Sequence, residues 1–142
     1  MEFDLEQETR VWNRVLGGDG AARLGELARQ EARCASEDWA LARRLGDRRL
    51  GELARRERQA AGDLNVACYL LPGEKPAPVP PVSPREPAAE ILRRRFSQGR
   101  ELAAVYGELA GQIPELAPLL TSLARDADTR SSLLLRVLRD LL

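Results

Sequence analysis

Apolar residues recur every three or four positions along most of this chain, and no stretch alternates apolar and polar residues at every second position. A three-to-four spacing lays one apolar stripe along a helix, so the chain is predicted to be all-α. A short first helix is predicted over residues 5–16, with Val11, Trp12, Val15 and Leu16 on its apolar side and Gly17-Gly18 ending it. Asp19 can cap a long helix over 20–45. Gly46 stops that helix, and Asp47 can cap the next, over 47–71. The stretch from Gly73 to Pro84 holds five prolines and cannot be helical. Ser83-Pro84-Arg85-Glu86 has the pattern of a capping box with proline at the first helical position, so a third long helix is predicted over 84–112. Pro114 opens the last, over 114–142.

Geometry suggests how these helices connect. An extended proline-rich segment rises about 3.1 Å per residue, so residues 73–84 span about 37 Å. A helix of roughly 25 residues is equally long. The segment therefore reaches from one end of a bundle to the other. It can start the third long helix parallel to the second, giving a four-helix bundle of two antiparallel hairpins joined by one long crossover.

The seams of these helices are not wholly apolar. The first reads Leu24, Leu27, Glu31, Cys34, Asp38, Leu41, Leu45, and the second Leu50, Leu53, Glu57, Ala60, Leu64, Ala67, Leu71. The phrase Arg23–Glu31, RLGELARQE, returns as Arg49–Glu57, RLGELARRE, and each copy ends on its helix's inward glutamate. Counted outward from the Gly46-Asp47 turn, Glu31, Glu57 and Ala60 come to nearly the same level. The third seam reads Leu92, Arg95, Gly99, Leu102, Tyr106, Leu109. The fourth reads Leu116, Leu120, Leu123, Ala127, Arg130, Leu134, Val137, Leu141. The middle layer thus holds Glu31, Glu57, Ala60, Gly99, Ala127 and Arg130, with Asp38 and Tyr106 further along.

This layout resembles the ferritin-like superfamily, and within it the rubrerythrin-type bundles. Those carry a glutamate on each of two helices and an ExxH pair on each of the other two, together holding two iron ions. The stretch Tyr69 to Pro78, YLLPGEKPAP, is similar to the end of the second helix and the proline-containing connector of that family. The resemblance runs from Leu24 onward. It implies that Glu31 and Glu57 stand at ligand positions, and that the other four ligand positions have become Ala60, Gly99, Ala127 and Arg130. A shift of register that brings Asp126 or Asp128 inward would turn Leu123 and Leu134 outward. Two carboxylates with no imidazole cannot hold two irons in the family's manner, so no metal or other cofactor is expected. Iron or another divalent metal at a reduced site is the alternative.

Three further absences narrow the chemistry. The chain has no histidine, which removes the usual acid-base and metal-ligand residue and every Ser-His or Cys-His nucleophile. Lys+Arg and Asp+Glu are both 22, so no basic surface for nucleic acid is expected. No apolar run is long enough for a membrane span, and the acidic start MEFDLEQE lacks a secretory pattern, so a cytoplasmic protein is expected. Cys34 and Cys68 are read as buried small apolar groups. Turn counting separates them by about 13 Å along the axis, too far for a disulfide.

Arg130, on an inward seam, is expected to replace the cations by pairing with Glu31, Glu57 or both, with Asp38 as a further acceptor, since unpaired buried carboxylates are prohibitive. The structural polar cluster is therefore Glu31, Asp38, Glu57, Tyr106 and Arg130. Tyr106, Trp12 and Trp39 are assigned to packing and the bundle rim. The leading functional expectation is a non-catalytic, metal-free bundle with a structural or interaction role, as a homodimer or paired with a related bundle protein. The alternatives are a rubrerythrin-type oxidoreductase with an altered site, and a plain helical adaptor. The residues identify no substrate.

Overall fold

The structure, a computed structural model, describes residues 20–70 and 77–142. The expected short helix over 5–16, the Asp19 cap and residues 71–76 of the connector lie outside the described residues. Four long helices are present: α1 Gly20–Leu45, α2 Arg48–Leu70, α3 Ala88–Gln112 and α4 Ala117–Leu141. A single 3-10 turn, Pro114–Leu116, leads into α4. Among the described residues there is no strand, and no helix is long and apolar enough to cross a membrane.

The α1–α2 turn follows from its two residues. Gly46 takes φ +64°, a conformation that side-chain-bearing residues avoid, and the Asp47 amide donates back to the Ala42 carbonyl at 3.2 Å. Asp47 then caps α2 by accepting from the Arg49 amide at 2.9 Å. The Arg49 side chain closes over the same carboxylate and also reaches Asp140 at the end of α4. Hydrogen bonds from Arg49, first of all those of its side chain, hold the Asp47 carboxyl below its ordinary pKa.

The predicted start of α3 is corrected. The Ser83–Glu86 capping box does not form, and the helix begins at Ala88 after Pro87, with no side-chain cap. Pro87 explains the shift. A proline disfavours helical geometry in the residue before it, here Glu86, and it would have no amide to donate within a helix begun at Pro84. The Pro87 carbonyl instead accepts from Glu90 and Ile91. Residues 77–87 run along α1 as an extended segment, fastened where Ser36 Oγ donates to the Val82 carbonyl at 3.2 Å and accepts from the Val82 amide at 2.7 Å.

α1 packs along α2, and α3 along α4. The two hairpins meet through α1 with α3 and α2 with α4, while the backbones of α1 and α4, and of α2 and α3, are not adjacent. These two pairs therefore lie on the diagonals of the bundle. Arg23 near Gln112, and Arg44 on the Glu86 carbonyl, mark opposite ends of an antiparallel α1–α3 contact. Arg49 with Asp140, then Arg56 with Asp126 further along, give α2 and α4 the same antiparallel sense. It follows that α2 and α3 run parallel, and the chain between them travels from one end of the bundle to the other.

Two apolar clusters fill the interior. One gathers Leu24, Leu64, Tyr106, Leu109 and Leu120 with their neighbours, and the other Leu41, Leu50, Leu53, Ile91 and Leu134 with theirs. The polar positions of all four seams fall between these clusters.

Candidate functional site

The middle layer buries six polar or charged residues: Glu31, Asp38, Glu57, Arg95, Arg130 and Ser131. Arg130 reaches from α4 to Glu31 on α1 with both terminal nitrogens, Nη2 to Oε2 at 2.8 Å and Nη1 donating to Oε1 at 3.1 Å. Its Nη1 also lies 3.7 Å from Glu57 Oε2, and its Nε 2.9 Å from Asp126 Oδ2. Asp126 is part-exposed and also pairs with Arg56, so it links the layer to the surface. Of the two contacts with Glu31 only that of Nη1 is a hydrogen bond, the Nη2 contact being an ion pair without hydrogen-bond geometry; a planar guanidinium can make both at once.

Arg95 of α3 is the second cation. Its Nη2 contacts Glu57 Oε2 and lies 3.3 Å from Asp38 Oδ2, its Nη1 donates to Gln98 Oε1 at 2.9 Å, and its Nε is 3.8 Å from Glu37. The expected cluster is thus brought together with one reassignment: Asp38 belongs to Arg95 and not to Arg130. Arg95 appeared on the predicted seam without a role. Charge balance carried the missing signal, because three interior carboxylates need more than one arginine.

Burial and pairing pull these groups in opposite directions. Desolvation raises the Glu31 pKa, and Arg130 opposes it only in part. Contact with Arg95 favours ionised Glu57. Complete burial, followed by the charge of Asp38 beside it, outweighs that contact and pushes Glu57 well above the ordinary carboxylate value. As an acceptor for protonated Glu57, the Asp38 carboxylate adds to that rise. Desolvation also works against both guanidinium charges, yet the surrounding carboxylates raise the pKa of each.

Tyr106, assigned to packing, is fully buried. Desolvation and then the neighbouring Glu31 charge raise its phenol pKa. Trp39 lies on the outer surface, 41% exposed. Trp12 is outside the described residues. Among those residues Glu57 Oε1, Asp38 Oδ1 and the Tyr106 hydroxyl have no hydrogen-bond partner.

Two features depart from expectation. Cys34 was read as an apolar filler, yet its Sγ joins carboxylate oxygens of Glu31 and Glu57 in a group whose atoms lie within 4.8 Å of one another. Burial first, and the nearby carboxylates after it, raise its thiol pKa and favour the protonated form. Cys34 and Cys68 are not joined in a disulfide. Gly99, which the resemblance puts at a lost ligand position, leaves no room for a side chain. A Cβ built there meets Ser131 Oγ at 2.4 Å, so α3 and α4 have closed together.

Among known proteins, no family model, no curated protein and no solved structure matches this chain.

Proposed function

We propose that this chain is a non-catalytic bundle of the ferritin-like, rubrerythrin-related kind, in which two arginines occupy the layer where that family holds two metal ions. Its role is then structural, or that of a partner surface for a second copy or a related bundle. The observation that carries this reading is the pairing of Arg130 with Glu31 and of Arg95 with Glu57 and Asp38, all buried. The parallel course of α2 and α3, with a long connection between them, supports the family assignment. The absence of histidine supports the loss of the metal site, not the family assignment. A dication entering this layer would have to displace guanidinium groups from both glutamates.

One observation favours the second reading, an altered metal-binding oxidoreductase: the Glu31, Cys34 and Glu57 donors are close enough to share an ion. Thiolate ligation there would have to overcome the burial that keeps Cys34 protonated. Metal analysis of the full chain, purified from iron-, zinc- and manganese-supplemented medium, separates the readings. The proposal expects only trace metal after gel filtration. Retention of about one equivalent or more, lost on Glu31→Ala, would establish the metal-binding reading instead.

A further inference from the structure

The outer face of the α1–α2 hairpin, away from the polar layer, holds a cavity of about 530 Å³. Its helix side is built largely of alanine, with Ala32, Ala35 and Ala40 on α1 and Ala61 on α2. The extended segment forms another wall through Val79, Pro81 and Val82. The Ser36 hydroxyl bonds both backbone polar groups of Val82, so this wall is fastened beside the cavity and its backbone is satisfied there. The volume falls in the range of about 300–1,000 Å³ usual for small-molecule sites.

The polar groups around this space have one sign. Among the described residues, Arg43 and Arg58 are its charged lining residues, and no carboxylate lines it. The Arg43 guanidinium sits over the Trp39 ring, 5.6 Å from its centroid. Among the described residues, neither Arg43 nor Arg58 takes part in an ion pair, whereas Arg49, Arg56, Arg94 and Arg100 all do. An exposed indole, an alanine-walled gap and two arginines with no ion pair among the described residues offer an aromatic face, an apolar bed and an anion clamp in one place.

We propose that this cavity binds a small organic anion with a flat apolar body: an aromatic or fused-ring carboxylate, sulfonate or phosphate. The ring system lies against Trp39 and the alanines, and the acid group meets Arg43 and Arg58. The site is independent of the buried layer and of the functional reading given above.

Two fluorescent probes that share a ring system test this on the full chain. Anilinonaphthalenesulfonate carries the acid group, and N-phenylnaphthylamine lacks it. The expected result is one bound sulfonate per chain, with affinity at least about tenfold above that of the neutral probe at low salt. Arg43→Gln with Arg58→Gln should remove that preference, since both side chains are exposed and play no part in the core. Ala40→Phe, or Ala32→Phe should the first variant fail to melt cooperatively, should abolish binding of both probes by filling the gap. No sulfonate binding, or binding that survives the filled cavity, overturns the site. Equal affinity for the two probes would also overturn it, assigning the groove to an apolar partner segment.

Discussion

Glu31 of α1 and Arg130 of α4 are joined by a two-pronged ion pair across one diagonal of the bundle, between helices whose backbones are not adjacent. Glu57 of α2 and Arg95 of α3 span the other diagonal. The two pairs are linked where Arg130 Nη1 approaches Glu57, and Asp38 ties Arg95 back to α1. All four long helices therefore meet in one charged crossing, held between two apolar clusters.

Removing one partner of such a buried pair leaves the other charged and unsolvated, at a typical cost of about 3–5 kcal/mol. Arg130→Ala and Arg95→Ala should each lose stability on that scale in urea unfolding at neutral pH. The rescues should differ. Glu31→Gln restores part of the Arg130→Ala loss, whereas Arg95→Ala needs both Glu57→Gln and Asp38→Asn. An Arg130→Ala protein that unfolds at the parent's midpoint would place this arginine in solvent and refute the crossing.

The raised pKa values of Glu31 and Glu57 set the direction of the pH response. Their ordinary value is 4.5, and both bind protons more tightly in the folded chain. Between that value and the raised one the folded state holds more protons than the unfolded state, so stability falls as pH rises through the window. Their contribution is fully present below about 4.5 and declines towards neutrality. Asp47 and Glu86, whose pKa values are lowered, act oppositely, but at more acid pH. The urea midpoint should thus rise when pH is lowered from 7 to about 5. Glu31→Gln with Glu57→Gln should flatten that response, and a midpoint that instead falls steadily with acid would contradict the assignment.

Gly99 and Ser131 make a paired prediction. Gly99→Ala must turn the Ser131 hydroxyl aside, because the new Cβ lies 2.4 Å from Oγ while its distance to Ser131 Cβ is an ordinary 3.6 Å. Ser131→Ala removes a hydroxyl that has no partner, so it should be nearly neutral. With it present, Gly99→Ala should recover the helix preference for alanine over glycine, about 1 kcal/mol. Thermal melts should therefore rank the double variant above Gly99→Ala alone. The reverse ranking would show that the helices do not approach closely at this point.

Ser36→Ala should loosen the extended segment without unfolding the bundle. It removes the two hydrogen bonds that fasten Val82, each worth about 0.5–1.5 kcal/mol net. Faster amide exchange at Val82 and faster protease cleavage within residues 77–87 are expected, with the α-helical circular dichroism unchanged. Unaltered exchange at Val82 would mean that other contacts hold the segment.

Much of this architecture was legible in the chain because helical periodicity is a local property. The seams of α1 to α4 predicted an interior for Glu31, Asp38, Glu57, Arg95, Tyr106 and Arg130, and all six are buried. The turn at Gly46-Asp47 was equally readable, since one residue supplies the left-handed conformation and the next the cap. The start of α3 was misplaced because a favourable local signal, the capping box, was weighed without the veto three residues past Pro84 at Pro87. That error too was local, and the information to avoid it was present in the chain.

The sequence by itself determined which faces turn inward, since a 3.6-residue period and the distribution of Leu and Ala decide that helix by helix. It also determined that the interior must carry charge, because Glu31, Glu57 and Arg130 sit on those faces whatever their partners. Only the tertiary structure decided who meets whom. Arg95, and not Arg130, takes Asp38; Cys34 turns its sulfur toward two carboxylates; and Ser131 closes the space at Gly99. These outcomes depend on the separation, rotation and axial offset of helices distant in sequence. Such quantities are set jointly by the packing of all four helices, and no spacing within one of them encodes them.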